Sequence, residues 1–283
     1  MFIVLGATGH IGSELVQNLD AAGKKVIAVV HDAGKAGDIR TASVEPVVLD
    51  VSDSARLHDL FRQGHRAFLL NPPADPGGDT DAVETATARA ITEALHGSDL
   101  EKIVVASTYG AQPGQGIGDL SVLFDFERQA EASGIPTAIN RAAYYYTNFD
   151  MLLASAREGV LQTPFPRDMR LPMVSPVDIA KAAASRLLSE PVDVGIHYVE
   201  GPHRYTFEDV AVAFSAVLGR PVRLETIPRE KWEESFRAAG FSSEAARAYA
   251  RMTATTVDGP QAPADPWRGD VTLLDHLGNL SGT

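Results

Sequence analysis

The first twelve residues constrain this chain more than any other stretch of it. Phe2-Ile3-Val4-Leu5 is a short apolar run of the kind that forms a buried strand, and Ile11, Leu15, Val16 and Leu19 then recur at helical spacing. Between the two lies Gly6-Ala7-Thr8-Gly9-His10-Ile11-Gly12. A glycine loop that leaves a strand and opens a helix aims free backbone N–H groups and the positive helix end at one point. That is an anion site, and in a βα unit its usual anion is the pyrophosphate of a dinucleotide. Gly6 permits the sharp turn, Gly9 lets the backbone approach the phosphates, and Gly12 lets the helix pack closely on the sheet. Thr8, His10 and Ile11 complete the set of residues around the phosphates. The spacing is Gly-x-x-Gly-x-x-Gly rather than Gly-x-Gly-x-x-Gly, so the strand-loop-helix context carries the assignment.

The βα rhythm continues for about half the chain. Val26 to Val30, Pro46 to Leu49, Ala67 to Leu70, Ile103 to Ala106 and Thr137 to Asn140 read as further strands. Helical patterns separate most of them, and Gly23 and Gly134 stand where C-terminal caps belong. Ser52 is placed to cap the helix that runs toward Gly64, and longer helices span about Asp81 to His96 and Val122 to Ser133. Such alternation predicts a doubly wound parallel sheet, the Rossmann arrangement, over residues 1–150, with return segments near 173–199. Residues 151–283 read as a smaller α+β substrate-binding region. It begins with a helix from about Asn148 to Arg157 and a Pro-rich linker or lid from Thr163 to Pro172. Helices follow at Val177 to Leu188, Thr206 to Leu218, Arg229 to Ala238 and Ser242 to Met252, then an irregular tail.

Strand ends in such a sheet face the ligand. After the second strand stand His31, Asp32 and Lys35. An NAD site usually offers a carboxylate at that strand end; here Val30 and His31 occupy the position, and His31 with Lys35 suits the 2′-phosphate of NADP(H). Asp32 leaves NAD(H) open. Asp50 and Val51 follow the third strand, where the adenine lies, and Asn71-Pro72 the fourth. Ser107-Thr108-Tyr109 follows the fifth strand, toward the nicotinamide.

Composition excludes several alternatives. The sequence of 283 residues has no cysteine, which removes disulfides, thiolate metal sites and cysteine nucleophiles. A formal charge of −12 argues against a nucleic-acid-reading surface. No His-Glu-x-x-His or similar spacing suggests a metal, Ala106-Ser107-Thr108-Tyr109-Gly110 is not a hydrolase elbow, and the loop lacks the Gly-Lys-Ser/Thr of an NTPase. No basic leader and no apolar stretch of spanning length is seen, so a cytoplasmic protein without membrane attachment is expected.

Several segments, in order, resemble the NmrA-like group of atypical short-chain dehydrogenases/reductases. They are the loop at 6–12, Ser133-Gly134-Ile135-Pro136-Thr137 followed by Asn140-Arg141, and Asn148-Phe149. Ser175-Pro176-Val177-Asp178-Ile179-Ala180, and Glu200-Gly201-Pro202 with Tyr205-Thr206-Phe207-Glu208-Asp209-Val210-Ala211, complete the set. The resemblance implies a Rossmann fold, NAD(P) binding and a substrate cleft between two domains. It also implies either a reductase of quinones and other small molecules or a redox-sensing regulator that catalyses nothing and acts through a protein partner. Most members carry Arg where His31 stands; Lys35 matches.

The chain departs from ordinary short-chain reductases in having no Tyr-x-x-x-Lys, the pair in which Lys eases proton release from Tyr. Ser107 matches the group's strand-end Ser and is a candidate to bind a substrate carbonyl. Tyr109 and Tyr145, the latter within Tyr144-Tyr145-Tyr146, are the candidate proton donors; the alternative is that at least two of the triplet only pack. The partner expected is a small-molecule substrate, with a homo-oligomer or a protein partner left open.

Overall fold

The computed structural model describes residues 1–259 and 263–282. The chain runs β1 (Phe2–Val4), α1 (His10–Ala21), β2 (Val26–Val30), β3 (Val44–Val48), α2 (Ser54–Phe61), β4 (Arg66–Leu69), α3 (Thr80–Glu93), β5 (Lys102–Thr108), α4 (Asp119–Ala132) and β6 (Thr137–Ala142). It continues through β7 (Tyr144–Tyr145), a 3-10 helix (Tyr146–Leu152), α5 (Leu153–Arg157), β8 (Val160–Thr163), β9 (Leu171–Val174), α6 (Pro176–Leu188) and β10 (Gly195–Glu200). Then come β11 (Arg204–Tyr205), α7 (Phe207–Leu218), β12 (Arg223–Thr226), α8 (Trp232–Ala238), α9 (Ser243–Asp258), β13 (Trp267–Arg268) and α10 (Leu273–Ser281).

Strand residues that alternate in side-chain direction build two cores from one sheet. Val4, Ala28, Val30, Phe68 and Val104 face Ile11, Leu15 and Leu19 of α1 and Ile179, Ala183 and Leu187 of α6. Ile3, Ile27, Val29, Ala67, Leu69, Ile103 and Val105 face α2, α3 and α4 through Leu57, Phe61, Ile91 and Phe126. Both faces are therefore apolar, as a helix-covered parallel sheet requires. Among the described residues the sheet has eight strands in the order β13-β10-β6-β5-β4-β1-β2-β3, all neighbours parallel. The order reverses between β1 and β4, which opens a crevice beyond their carboxyl ends. This is a Rossmann fold.

A third core, built on Tyr146, Phe149, Phe165, Phe207, Phe214 and Leu277, lies in the smaller unit. That unit contains a β11-β9-β7 sheet and a β12-β8 pair. Phe165 stacks on Phe207 at 4.8 Å, and Tyr144 meets both edge-on.

Several local expectations are corrected. Asp53, not Ser52, caps α2, accepting from the Arg56 N–H at 3.1 Å; Ser52 instead donates to Asp50. The segment expected as a linker or lid is bracketed by β8 and β9, whose Leu161, Leu171 and Met173 are core residues. The helix expected from Asn148 begins as a 3-10 turn and becomes α-helical only at Leu153. The tail is ordered into β13 and α10. Its anchor is the buried Asp178, which accepts from the Val271 N–H at 2.9 Å and packs so closely on Gly269 that a Cβ there would lie 2.1 Å from the Asp178 Cγ. No helix among the described residues is long and apolar enough to cross a membrane.

Candidate active site

The phosphate loop is built by backbone. Gly6 takes φ +66, a left-handed value that an L side chain resists, and its carbonyl accepts the Gly9 N–H at 2.9 Å to close the turn. Gly12 packs against that same turn: a Cβ on it would stand 2.1 Å from the Gly6 oxygen. Gly9 caps α1 without any side-chain hydrogen bond, and the first turn has no acidic residue. In contrast, α2, α3, α6, α7, α9 and α10 each receive a side-chain cap. The N–H groups of His10, Ile11 and Gly12 thus point from a bare positive helix end into the crevice. A Cβ on Gly9 would meet only the Gly6 oxygen at 3.3 Å, so the space before it lies open to a ligand. This cradle fits a pyrophosphate.

The strand-end residues collect along the same edge. His31 and Lys35 are both exposed at the end of β2. Asp32 turns back on its own loop, its carboxylate accepting the Gly34 N–H at 2.8 Å. Asp50 accepts from the N–H and hydroxyl of Ser52 at 2.9 and 2.7 Å, and these bonds hold its carboxyl below the usual range. Val51 is half-buried beside it. Asn71 donates to the Glu84 carbonyl at 3.0 Å, and the neighbouring Pro72 is half-buried.

The candidate catalytic hydroxyls are turned inward. Ser107 is 1 % exposed and gives its proton to Glu127, itself fully buried. Glu127 also takes a two-pronged ion pair from Arg141, at 2.9 and 2.7 Å. Tyr109 donates to the buried Glu200 at 2.7 Å and packs edge-on to Tyr198, with ring centroids 5.0 Å apart. Burial and that carboxylate push its pKa up, so Tyr109 holds its proton more tightly than a free phenol. Glu200 in turn receives Arg204 at 2.9 and 2.7 Å and Arg268 at 3.2 Å. Ser107, the candidate donor to a substrate carbonyl, and Tyr109, a candidate proton donor, are thus members of internal networks at the ends of β5, β6 and β10.

The tyrosine triplet divides by position. Tyr146 is fully buried, and Tyr144 belongs to the aromatic cluster with its phenol pushed up to about 12 by burial. Tyr145 lies between the sheet core and Asp119, its pKa also raised, first by burial and then by that carboxylate. A hollow of about 550 Å³ lined by Arg170, His203, Arg204, Tyr205 and Arg268 contains none of the phosphate-loop residues.

Three functional candidates carry no motif in the sequence, Glu84, Asp119 and Glu127, and Glu200 stands there only as the first residue of a family segment. Thr80, Glu84, Ala88 and Ile91 form the buried stripe of α3, so an acidic residue in an otherwise uncharged stripe was the available signal for Glu84. Among the described residues no group of His, Asp and Glu could hold a metal ion.

The model of the NmrA-like family matches residues 1–258. The chain belongs to the NmrA-like family. An NAD(P)H azoreductase from Xenophilus azovorans is 26 % identical over 283 residues, covering all of this chain and 93 % of that protein. Among solved structures, a Staphylococcus aureus protein described as a nucleoside-diphosphate-sugar epimerase superposes with a TM-score of 0.80 at 18 % identity, over 98 % of this chain and 99 % of that one. An NADPH-dependent quinone oxidoreductase from Escherichia coli, complexed with NADPH, gives 0.76 at 17 % identity, over 99 % of each chain. At such identities the structural matches speak for the fold.

Proposed function

We propose that this NmrA-like protein is an NADPH-dependent reductase of small neutral acceptors such as quinones, enones or azo compounds. The observation that carries the reading is the bare, glycine-lined amino end of α1 at the sheet's switch point, shaped to receive a pyrophosphate. His31 and Lys35 are exposed to receive a 2′-phosphate, while Asp32 spends a carboxylate oxygen on its own loop. Azoreductase and quinone reductase relatives support the reaction class. When bound, the reduced nicotinamide supplies the hydride. The chain's own part is to hold the pyrophosphate on the α1 amides, order the strand-end loops through the Glu127 and Glu200 networks, and exclude water from the cleft between the units.

A second reading, a dinucleotide sensor without catalysis, is favoured by one feature: the protons of Ser107 and Tyr109 are given to internal carboxylates. The test is NADPH oxidation by the purified protein against a panel of quinones, enones and azo compounds, after the cofactor is shown to bind. Turnover supports the reductase; tight binding without turnover on any acceptor supports the sensor. For cofactor choice, His31→Ala with Lys35→Ala is expected to weaken NADPH about tenfold or more relative to NADH, since charge-assisted bonds contribute about 1.5–3 kcal/mol. Equal losses for both dinucleotides would remove the 2′-phosphate site from these residues.

A further inference from the structure

Reduction of a neutral acceptor needs a proton as well as a hydride, and the residues of this chain with the usual chemistry do not offer one. No Tyr-x-x-x-Lys exists, and burial drives the phenols of Tyr109, Tyr144, Tyr145 and Tyr146 toward tighter proton retention. A different acid lies on the same edge of the sheet. Glu84, 4 % exposed on the first turns of α3, is tied to the loop after β4: the Ala74 N–H donates to its Oε1 at 2.8 Å, and Asn71 donates to its backbone carbonyl. Packing of α3 on α4 sets its carboxyl beside that of Asp119, the first residue of α4. Two neighbouring buried carboxyls resist losing both protons, because both cannot ionise side by side.

The surroundings add further buried polar atoms. Thr80, 2 % exposed, has a hydroxyl without a partner and faces Asp81; Asp81 Oδ1 and Asn71 Oδ1 are likewise buried and unpartnered. All lie around the turn of α3 that carries Glu84. Tyr145 of β7 and Tyr249 of α9 stand beside the carboxyls; the charge of Asp81 acts on both, and Asp79 and Arg251 act on Asp81. The place is also the seam between the two units. Ser242, which caps α9, donates to the Gly78 carbonyl at 2.6 Å, and Met252 of α9 packs on Gly118 just before Asp119. A buried acid with unfilled polar positions beside it, where a substrate-binding unit closes on a strand-end loop, is the geometry of a proton donor.

We propose that Glu84, packed beside Asp119, is the catalytic acid of the reduction, and that the Thr80 hydroxyl donates to the carbonyl or azo end of the substrate next to it. The proposal rests on the reductase reading. The balance is simple. The acceptor gains two electrons and one hydrogen as hydride from the reduced dinucleotide, which is oxidised. The Glu84 O–H bond breaks as an O–H or N–H bond forms on the acceptor. Two adjacent carboxylates remain, an unfavourable state that draws the proton back from water. Burial first, then the charge of Asp119, pushes the Glu84 carboxyl up to about 8, so it is mostly protonated at neutral pH and suited to give its proton there.

The test compares a neutral quinone, menadione, with malachite green, a carbocation that needs hydride alone. Glu84→Gln keeps the shape of the side chain but carries no acidic proton. It is expected to lower kcat for menadione about a hundredfold, with NADPH affinity retained and malachite green reduction spared by comparison. Activity of the unsubstituted protein on menadione should be full below pH 8 and fall above it, as Glu84 loses its proton. Asp119→Asn removes the neighbouring charge, and should move that fall to lower pH. Without any cofactor, the carboxyl carbon of Glu84, followed by 13C NMR, should titrate well above the ordinary glutamate value and shift down in Asp119→Asn. Equal activity of Glu84→Gln on both acceptors, equal loss on both, or an ordinary titration of Glu84 each overturns the proposal. If the unsubstituted protein reduces neither acceptor, the reductase reading falls and takes this proposal with it; if it reduces both as well as Glu84→Gln does, only the proposal falls.

Discussion

The two ends of the crevice are built in opposite ways. At the end proposed for the phosphates, residues 6–12 make the whole site from one stretch of backbone, and its charge is the uncapped end of α1. At the end proposed for the substrate, the polar groups come from β4, α3, β5, α4, β6, β7, β10 and α9, and the charges are buried side chains in pairs. A backbone site depends on the absence of side chains. A side-chain site depends on each charge keeping its partner, because an orphaned buried charge is expensive. The two ends should therefore fail differently when mutated.

The largest effect is expected from the substrate end. Glu127→Ala leaves Arg141 buried without its carboxylate and Ser107 without its acceptor, and should cost about 3–5 kcal/mol in denaturant unfolding. Replacing both partners, Glu127→Leu with Arg141→Met, should recover much of that loss; if the double variant is no better than the single, the pair is not coupled as described. Gly9→Val probes the other end. Its Cβ makes one tight contact in the protein, at 3.3 Å from the Gly6 oxygen, and occupies the space in front of the loop. Dinucleotide affinity, measured by calorimetric titration, should fall by about a hundredfold, roughly 3 kcal/mol, with little change in unfolding midpoint. Unchanged affinity would move the pyrophosphate elsewhere. The smallest effect should come from Tyr109→Phe. It removes one hydrogen bond to a Glu200 that keeps Arg204 and Arg268, so stability should drop by about 1–2 kcal/mol. Reduction of menadione should continue at a comparable rate; its abolition would restore Tyr109 as the acid and remove Glu84 from that role.

Much of the fold could be read in the chain because its causes are local. The apolar runs of β1, β2, β4, β5 and β6 and the periodic faces of α1, α3 and α6 lie in the sequence as continuous patterns. The glycine that ends α7, Gly219, adopts the left-handed cap its position suggests. The ordered tail was not legible. β13 is two residues long, and only its pairing with Val199 and Glu200, together with the docking of residues 269–271 on Asp178, makes it a strand. Likewise Ser52 and Asp53 are both good caps, and local geometry chose between them.

The same division runs through the site. The phosphate loop, the family segments and the strand-end positions of His31, Lys35, Asp50 and Asn71 follow from the sequence alone, since contiguous backbone carries them. The destinations of the Ser107 and Tyr109 protons, and the meeting of Glu84 with Asp119, do not. Their partners lie 20, 91 and 35 positions away in the chain. Only packing of α3 on α4, and of β10 beside β6, brings those carboxyls to where burial and a neighbouring charge can decide which group holds a proton.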